Sequence, residues 1–150
     1  MRVAEICVRA VVTCRRDTSA LDLAALMRER HVGAVVVVDE GESGPIPVGV
    51  VTDRDLVVEV MAAGVDPAIL RVGDLIVTDL ETVAAEELVF DALWHMRRKG
   101  IRRLPVVDGQ GRLFGVLSAD DLTRFLAEQL TGVANLAIGQ PAREETKQEK

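Results

Sequence analysis

Aromatic side chains are scarce in this 150-residue chain: they make up 3% of it, and tyrosine is absent. Proteins that bind single-stranded nucleic acid stack bases on aromatic side chains, and this sequence offers few of them. The formal net charge is −6, whereas a nucleic-acid-binding face needs an excess of lysine and arginine. We therefore expect no nucleic-acid partner.

Cysteine and long apolar runs are also in short supply. Cys7 and Cys14 fit neither a disulfide framework nor a zinc-ligand spacing, so we expect two reduced thiols. The longest strictly apolar run covers residues 34–38, far below the roughly 20 residues of a membrane span. Charged residues among the first ten positions interrupt any signal-peptide core. These features predict a cytoplasmic protein without membrane insertion.

The composition is that of a globular protein, with 49% apolar and 28% charged residues. A chain of this length buries roughly 70% of its unfolded surface, so it needs no disulfide or metal to fold. We expect one compact domain, or two small units that share a core.

An internal repeat organises the chain. A shift of 69 positions aligns residues 37–39 with 106–108, and a shift of 66 aligns residues 49–52 with 115–118. The change of shift falls in a Gly- and Pro-rich loop, where insertions are tolerated. We interpret this as a duplication, with repeat 1 over residues 1–68, repeat 2 over residues 69–132 and a mobile tail over residues 133–150.

Each repeat has the pattern of a β-α-β-β-α unit. Apolar residues at helical spacing alternate with short Val-rich runs, and Gly-rich links join the runs. The predicted strands are residues 11–15, 34–38, 48–51, 80–84, 104–107 and 113–117. The predicted helices are residues 18–30, 53–63, 87–99 and 119–130.

One motif, Gly-apolar-apolar-Thr/Ser-x-x-Asp, occurs once in each repeat. It places Thr52 three residues before Asp55, and Ser118 three residues before Asp121, where a strand gives way to a helix. One interpretation is a capping box, in which both side chains satisfy free backbone N–H groups. The other is a ligand site, since a helix N-terminus attracts phosphate and a carboxylate can bind a ribose diol.

Two such units in tandem closely resemble the cystathionine-β-synthase (CBS) domain pair, also called a Bateman module. Residues 49–56 and 100–108 resemble the signatures of that family, and the resemblance covers about residues 3–130. It implies two β-α-β-β-α CBS repeats that pack through their sheets with pseudo-twofold symmetry. It also implies two clefts for adenine compounds such as AMP, ADP, ATP, S-adenosylmethionine or NAD(H).

In the first cleft, the resemblance implies that Asp55 contacts the ribose and that Thr52 lies near the phosphate. The adenine is expected to lie between Val50 and the segment that contains Leu80 and Thr82. The side chain of Ile101 is expected to close this cleft as a wall.

In the second cleft, the resemblance assigns the corresponding roles to Asp121 and Ser118. The adenine is expected to lie between Val116 and the segment that contains Val11 and Thr13. The opposite wall is expected to consist of Val32, Gly33 and Ala34.

Two arginines distinguish the repeats. Arg102 and Arg103 match positions where the family often places a phosphate-binding base, although a solvated pair at a strand start is the alternative. Repeat 1 has Gly33 and Ala34 at the corresponding positions, which predicts unequal clefts.

Other candidate residues favour structural roles. His31 and His95 have no nucleophile or carboxylate set around them in the sequence, which predicts packing or surface roles. Helices that carry Leu26, Phe90 and Trp94 are more apolar than a monomer needs, which predicts a twofold homodimer. We see neither a catalytic nor a metal-ligand set, and we therefore expect a chain that is not an enzyme.

The predicted function is a sensor in which reversible binding of an adenine nucleotide regulates a protein on another chain. No cofactor is expected beyond this regulatory ligand. The alternative is a dimerisation or interaction scaffold that binds no nucleotide. The complete Thr/Ser-x-x-Asp pairs in both repeats favour the sensor.

Overall fold

The computed structural model describes residues 1–76 and 79–148, and its mixed architecture confirms the predicted α/β class. The helices are α1 (Val3–Ile6), α2 (Ala20–Arg30), α3 (Asp53–Asp55), α4 (Val72–Leu75), α5 (Val89–Lys99) and α6 (Ala119–Gln148). A π-helical segment, Leu56–Met61, continues α3 without a break. The strands are β1 (Thr13–Cys14), β2 (Ala34–Gly41), β3 (Gly44–Thr52), β4 (Val83–Ala84), β5 (Arg103–Val107) and β6 (Leu113–Ser118).

The two halves have the same sheet topology. In the first sheet β1 pairs with β2 in parallel and β2 pairs with β3 antiparallel; in the second sheet β4, β5 and β6 repeat this arrangement. Even the register shifts correspond, since they fall between Val37 and Val38 in β2 and between Val106 and Val107 in β5. The predicted duplication is therefore present down to the irregularities of its strands.

The short helix of each half packs in the other half. Val3 of α1 donates its N–H to Glu87 O at 2.8 Å, and its side chain is buried in the core around β5 and β6. Val72 of α4 donates to Thr18 O at 2.8 Å and is buried in the core around β2 and β3. The boundary at residue 68 divides the sequence repeats, but each hydrophobic core contains a segment from both.

Two hydrophobic cores lie side by side, one for each sheet. The first is built on Leu23, Val35 and Val51, and the second on Val89, Leu104 and Leu117, all of them 2% exposed or less. Strand β3, at the edge of the first sheet, lies against β5 and β6 of the second sheet, so the two sheets meet there. This contact positions the ends of β3 and β6 beside the opposite repeat.

The structure differs from the sequence prediction at several ends. Strands β1 and β4 contain two residues each rather than five, because only those residues pair with β2 and β5. The last helix was predicted to end at residue 130, whereas α6 continues to Gln148 and includes most of the predicted tail, residues 133–150. A single glycine such as Gly132 costs a helix only about 1 kcal/mol, which neighbouring helix-forming residues offset. Residues 149 and 150 of the predicted tail lie outside the described residues.

Candidate functional site

The repeated motif forms a capping box at the end of β3. The backbone N–H and the hydroxyl of Thr52 both donate to Asp55 Oδ2, at 2.7 and 2.8 Å. In return, the backbone N–H of Asp55 donates to Thr52 Oγ1 at 3.3 Å. The hydroxyl and the carboxylate thus fix each other on the first turn of α3.

The second repeat has the same box at the end of β6. The backbone N–H of Ser118 donates to Asp121 Oδ2 at 2.9 Å, the Ser118 hydroxyl donates to the same oxygen, and Asp121 N–H donates to Ser118 Oγ at 3.2 Å. Asp121 is only 7% exposed. Its other oxygen, Oδ1, lies 3.8 Å from the exposed guanidinium of Arg124. The capping interpretation therefore describes both boxes, and each box uses one carboxylate oxygen only.

A cavity of about 250 Å³ opens beside Asp121, between the two repeats. Its walls are mostly valine and alanine side chains, while Arg103, Ser118 and Asp121 supply polar groups. The described lining residues are Val8, Ala10, Val11, Val12, Val32, Gly33, Ala34, Val36, Val50, Arg103, Val116, Ser118 and Asp121. We call this space the larger cleft.

A second cavity, of about 150 Å³, is also lined by Val50 and Arg103. Its described lining residues are Gly49, Val50, Asp79, Leu80, Glu81, Ile101 and Arg103. We call this space the smaller cleft. Val50 and Arg103 line both clefts, so the two spaces share a wall.

The larger cleft brings together most of the residues predicted for the second nucleotide site. Thr13 is an exception, because it lines a different cavity with Cys14, Arg15 and Asp39. The predicted residues that line the larger cleft are Val11, Val32, Gly33, Ala34, Val116, Ser118 and Asp121. The structure adds Arg103 to this set.

The smaller cleft brings together fewer of the residues predicted for the first site. Val50, Leu80 and Ile101 line it, whereas Thr52, Asp55 and the exposed Thr82 do not. Arg102 lies in a groove between α5 and α6, and its guanidinium is 3.8 Å from the carboxylate of Asp120. Of the two predicted phosphate-binding arginines, Arg103 is the one that reaches a cleft.

Four residues that line the clefts were not predicted from the sequence: two carboxylates in the smaller cleft and the two apolar residues at the equivalent positions of the larger cleft. Asp79 and Glu81 line the smaller cleft, and the shift of 69 positions aligns them with Ala10 and Val12, which line the larger cleft. The alignment of the repeats could have revealed this difference between the clefts, because it pairs a charged residue with an uncharged one at both positions. The two clefts therefore differ in charge at equivalent places.

Two side chains of α5, Lys99 and His95, contact the carboxylate of Glu81. Lys99 Nζ forms an ion pair with Glu81 Oε1, and His95 Nε2 lies 2.9 Å from Glu81 Oε2. The hydrogen bond from Lys99 is the main cause that lowers the pKa of Glu81, and His95 adds to it. The sequence context of His95 did not reveal this carboxylate, which lies 14 residues away along the chain.

The two thiols are poor nucleophiles. Burial raises the pKa of Cys14 to about 11, and burial also raises the pKa of Cys7 against the opposing charge of Arg9. A thiol reacts and binds metal as the thiolate, which both environments disfavour. Within the described residues, no three His, Cys, Asp or Glu side chains are grouped so as to hold a metal ion.

Comparison with known families follows the same division into two halves. The CBS domain family matches residues 3–62 and again residues 72–128, so that each match begins at α1 or α4. The chain belongs to the CBS domain family. The predicted tandem CBS pair is confirmed, and each CBS repeat contributes one three-stranded sheet.

Two relatives show how this CBS pair compares with longer and similar chains. The uncharacterized protein MK0525 of Methanopyrus kandleri is 37% identical over 120 residues, which are 80% of this chain and 60% of that protein. Hypoxic response protein 1 of Mycobacterium tuberculosis is 33% identical over 129 residues, which are 85% of this chain and 87% of that protein. The CBS pair thus spans less than two thirds of MK0525.

Solved CBS structures share the fold. Hypoxic Response Protein I, crystallised with two coordinated zinc ions, superposes with a TM-score of 0.72 at 27% identity over 83% of this chain and 98% of that one. The CBS domain pair of MJ0100, in complex with 5′-methylthioadenosine and S-adenosyl-L-methionine, gives a TM-score of 0.73 at 21% identity over 86% of this chain and 98% of that one. Among the described helices of our chain, none is long and apolar enough to cross a membrane.

Proposed function

We propose that this CBS pair is a regulatory sensor that binds an adenine nucleotide between its repeats. The observation that carries the proposal is the larger cleft, which combines apolar walls with one carboxylate, one hydroxyl and one guanidinium. Small-molecule sites are largely apolar with a few polar groups that fix orientation. A nucleotide has matching parts, namely a flat base, a diol and an anionic group.

The ligand is oriented in this proposal by the parts of the larger cleft. The base lies between the apolar side chains of Val11 and Val116. The ribose diol donates to Asp121 Oδ1, the carboxylate oxygen that accepts no hydrogen bond of the capping box. The Arg103 guanidinium and the Ser118 hydroxyl face the phosphate. Arg103 pairs with Ser118 across β5 and β6, which supports a common role for the two side chains.

The smaller cleft is the other nucleotide site in this proposal, and it corresponds to the first site predicted from the sequence. Thr52 and Asp55 line neither cleft in the structure. The proposal retains their predicted phosphate and ribose roles, since their capping box has the same geometry as that of Ser118 and Asp121, which line the larger cleft. Thr13, Thr82 and Arg102 also line neither cleft and have no such counterpart, so the proposal assigns them no ligand contact.

A ligand that binds across the interface between the repeats can change how the repeats pack, and this change is the signal in the proposal. A ligand that contacts residues 32–34 of repeat 1 and Asp121 of repeat 2 stabilises the packing in which these groups face each other. The resulting shift between packings is limited by the difference in ligand affinity for them. The responding partner is a protein of another chain in this proposal, and the module itself performs no catalysis.

We also infer that the module forms a homodimer through the outer face of α5 and α6. Phe90, Trp94 and Leu130 are 62%, 59% and 70% exposed on these helices, although each is large and apolar. Large exposed apolar side chains on neighbouring helices are typical of protein–protein interfaces. A twofold dimer covers the face with a second copy of itself.

Thermal stability in the presence of candidate ligands tests the sensor. AMP, ADP, ATP, S-adenosylmethionine and NADH are each added at millimolar concentration, and calorimetry then measures the affinity of those that raise the melting temperature. A ligand at 100 times its dissociation constant stabilises the fold by about 2.7 kcal/mol. If none of the five raises the melting temperature or produces heat, the scaffold alternative replaces the sensor.

A further inference from the structure

One arginine lines both clefts of this module. Arg103 is the first residue of β5, is exposed, and contributes to the walls of the larger and the smaller cleft alike. Among the described residues that line the two clefts, it is the only lysine or arginine. None of the described ion pairs involves Arg103, so its charge is available to a ligand on either side.

We propose that Arg103 is a single cation shared by the two clefts, so that a phosphate-bearing ligand in one cleft weakens the binding of a second phosphate-bearing ligand in the other. This inference rests on the proposed nucleotide-binding function and adds a coupling between the sites. A guanidinium that forms a bidentate pair with one phosphate is oriented by that pair and is no longer free for another.

The charges of the two clefts decide which is filled first. The smaller cleft has the carboxylates of Asp79 and Glu81 where the larger cleft has Ala10 and Val12. Glu81 is paired with Lys99, which offsets part of its negative charge, whereas none of the described ion pairs involves Asp79. Phosphate is therefore accepted first in the larger cleft, where fewer carboxylates oppose it.

The filled state changes the selectivity of the smaller cleft. Once Arg103 is engaged on the other side, Asp79 and Glu81 remain in the smaller cleft without the cation that shared its wall. A neutral or positively charged adenosine compound then binds there without repulsion, whereas a phosphorylated one does not. The pair of clefts responds in this way to two chemical classes of ligand, an anionic one and an uncharged or cationic one.

Neighbouring residues do not relieve the competition. Arg102, the adjacent arginine, points into the groove between α5 and α6 and lies 3.8 Å from Asp120. The position equivalent to Arg103 in repeat 1 is Ala34, which has no charge to offer. Among the described lining residues, the coupling consequently depends on Arg103.

Calorimetric titration with AMP and with adenosine tests the sharing. In one variant, Val116→Trp, a large side chain fills the larger cleft and leaves only the smaller cleft to bind. Ala34→Trp fills the same cleft from the opposite wall and serves if the first variant does not fold. The measurement compares AMP binding to the blocked variant with the second AMP-binding step of the unmodified protein.

We expect the smaller cleft to bind AMP at least about tenfold more tightly in the blocked variant than in the second step of the unmodified protein, a difference of about 1.4 kcal/mol. If the unmodified protein shows only one AMP-binding step while the blocked variant still binds AMP, the second step is too weak to detect, and this is the strongest form of the expected result. Adenosine, which lacks the phosphate, should show no such difference. In Arg103→Gln the difference should disappear, while the control Arg102→Gln should retain it.

Results that contradict the sharing of Arg103 can be distinguished from results that contradict nucleotide binding itself. Equal AMP affinities in the two measurements, a blocked variant that binds no AMP, or a difference that survives Arg103→Gln each overturn the sharing of Arg103 and leave nucleotide binding in place. The last of these would indicate direct repulsion between the two phosphates. If the unmodified protein binds neither AMP nor adenosine, the proposed function itself is wrong.

Discussion

Gly49 of β3 lies against Ile76, the residue after α4, so closely that a Cβ atom at Gly49 would lie 2.5 Å from Ile76 Cγ2. The other half has the same contact, because a Cβ at Gly115 would lie 2.9 Å from Cys7 Sγ and from Val8 O. The glycine of each Gly-apolar-apolar-Thr/Ser motif is therefore required for close packing of the crossing segment. It also keeps that segment beside the cleft.

Alanine at either of these glycines should destabilise the protein. We expect Gly115→Ala to lower the free energy of unfolding by about 1–3 kcal/mol, because the added methyl group overpacks a full interface. Gly109→Ala is the matched control, since no atom lies within 4 Å of its added Cβ. Urea denaturation measures both. Equal stability of Gly115→Ala and the control would contradict the close contact with Cys7.

Removal of the Asp121 carboxylate should separate helix capping from ligand binding. We expect Asp121→Ala to lose about 0.5–2 kcal/mol of stability as a cap and at least about tenfold in nucleotide affinity, and Asp55→Ala to behave likewise in its own cleft. Asp22→Ala is the matched control. Asp22 accepts the Ser19 hydroxyl at 2.7 Å at the start of α2 and lines neither cleft.

The control should lose stability without losing affinity, as judged by denaturation and calorimetry on the same samples. If Asp55→Ala and Asp121→Ala lose stability yet bind nucleotide as tightly as the unmodified protein, both carboxylates are caps only. The ribose assignment would then be wrong, although the CBS fold would be unaffected.

A charge on the outer face of α5 should separate the proposed dimer. We expect Trp94→Glu to convert a particle of twice 16.3 kDa into one of 16.3 kDa in light scattering, because an unpaired charge is costly in an apolar interface. Ile46→Glu is the control, since Ile46 is also exposed and apolar but lies in the β2–β3 hairpin. An unmodified protein that scatters as a 16.3 kDa particle at micromolar concentration would rule out the dimer.

The ion pairs of Glu81 should make part of the stability depend on pH. Because the folded state lowers the pKa of Glu81 below its usual 4.5, the stabilisation is present above pH 4.5 and disappears as the pH falls through the lowered value. We expect Glu81→Gln to be less stable than the unmodified protein at pH 7 and equally stable once Glu81 is protonated. Urea midpoints from pH 7 down to pH 3 measure this difference, with Glu59→Gln as an exposed control. A difference that does not change with pH would contradict it.

The repeat alignment predicted the parts of the fold that depend on local pattern. It located both capping boxes, and its change of shift from 69 to 66 falls in the β2–β3 hairpin, where the structure has the turn between Gly41 and Gly44. The contacts of Val3 and Val72 with the opposite repeat were not predictable in this way. They join segments far apart in the chain, and apolar periodicity does not specify a partner.

The cleft residues show the same limit. Val11 and Leu80 line the clefts for which they were predicted, whereas Thr13 of β1 and Thr82, the residue before β4, line neither cleft. Which faces of such short strands meet a cavity depends on tertiary packing. The position of Asp79 and Glu81 in the smaller cleft also depends on tertiary packing. The alignment of the repeats showed only that these two residues are charged where repeat 1 has Ala10 and Val12.

The exchange of α1 and α4 means that neither half of this chain contains all the residues of its own hydrophobic core. A fragment that ended after the first repeat would contain β1, β2 and β3 but not Val72, and a core position of its sheet would be open to water. Two half-length chains could complete each other's hydrophobic cores only by exchanging their N-terminal segments. Any half-length ancestor of such a duplicated protein would therefore have been an obligate swapped pair, and gene fusion would have changed its connectivity more than its packing.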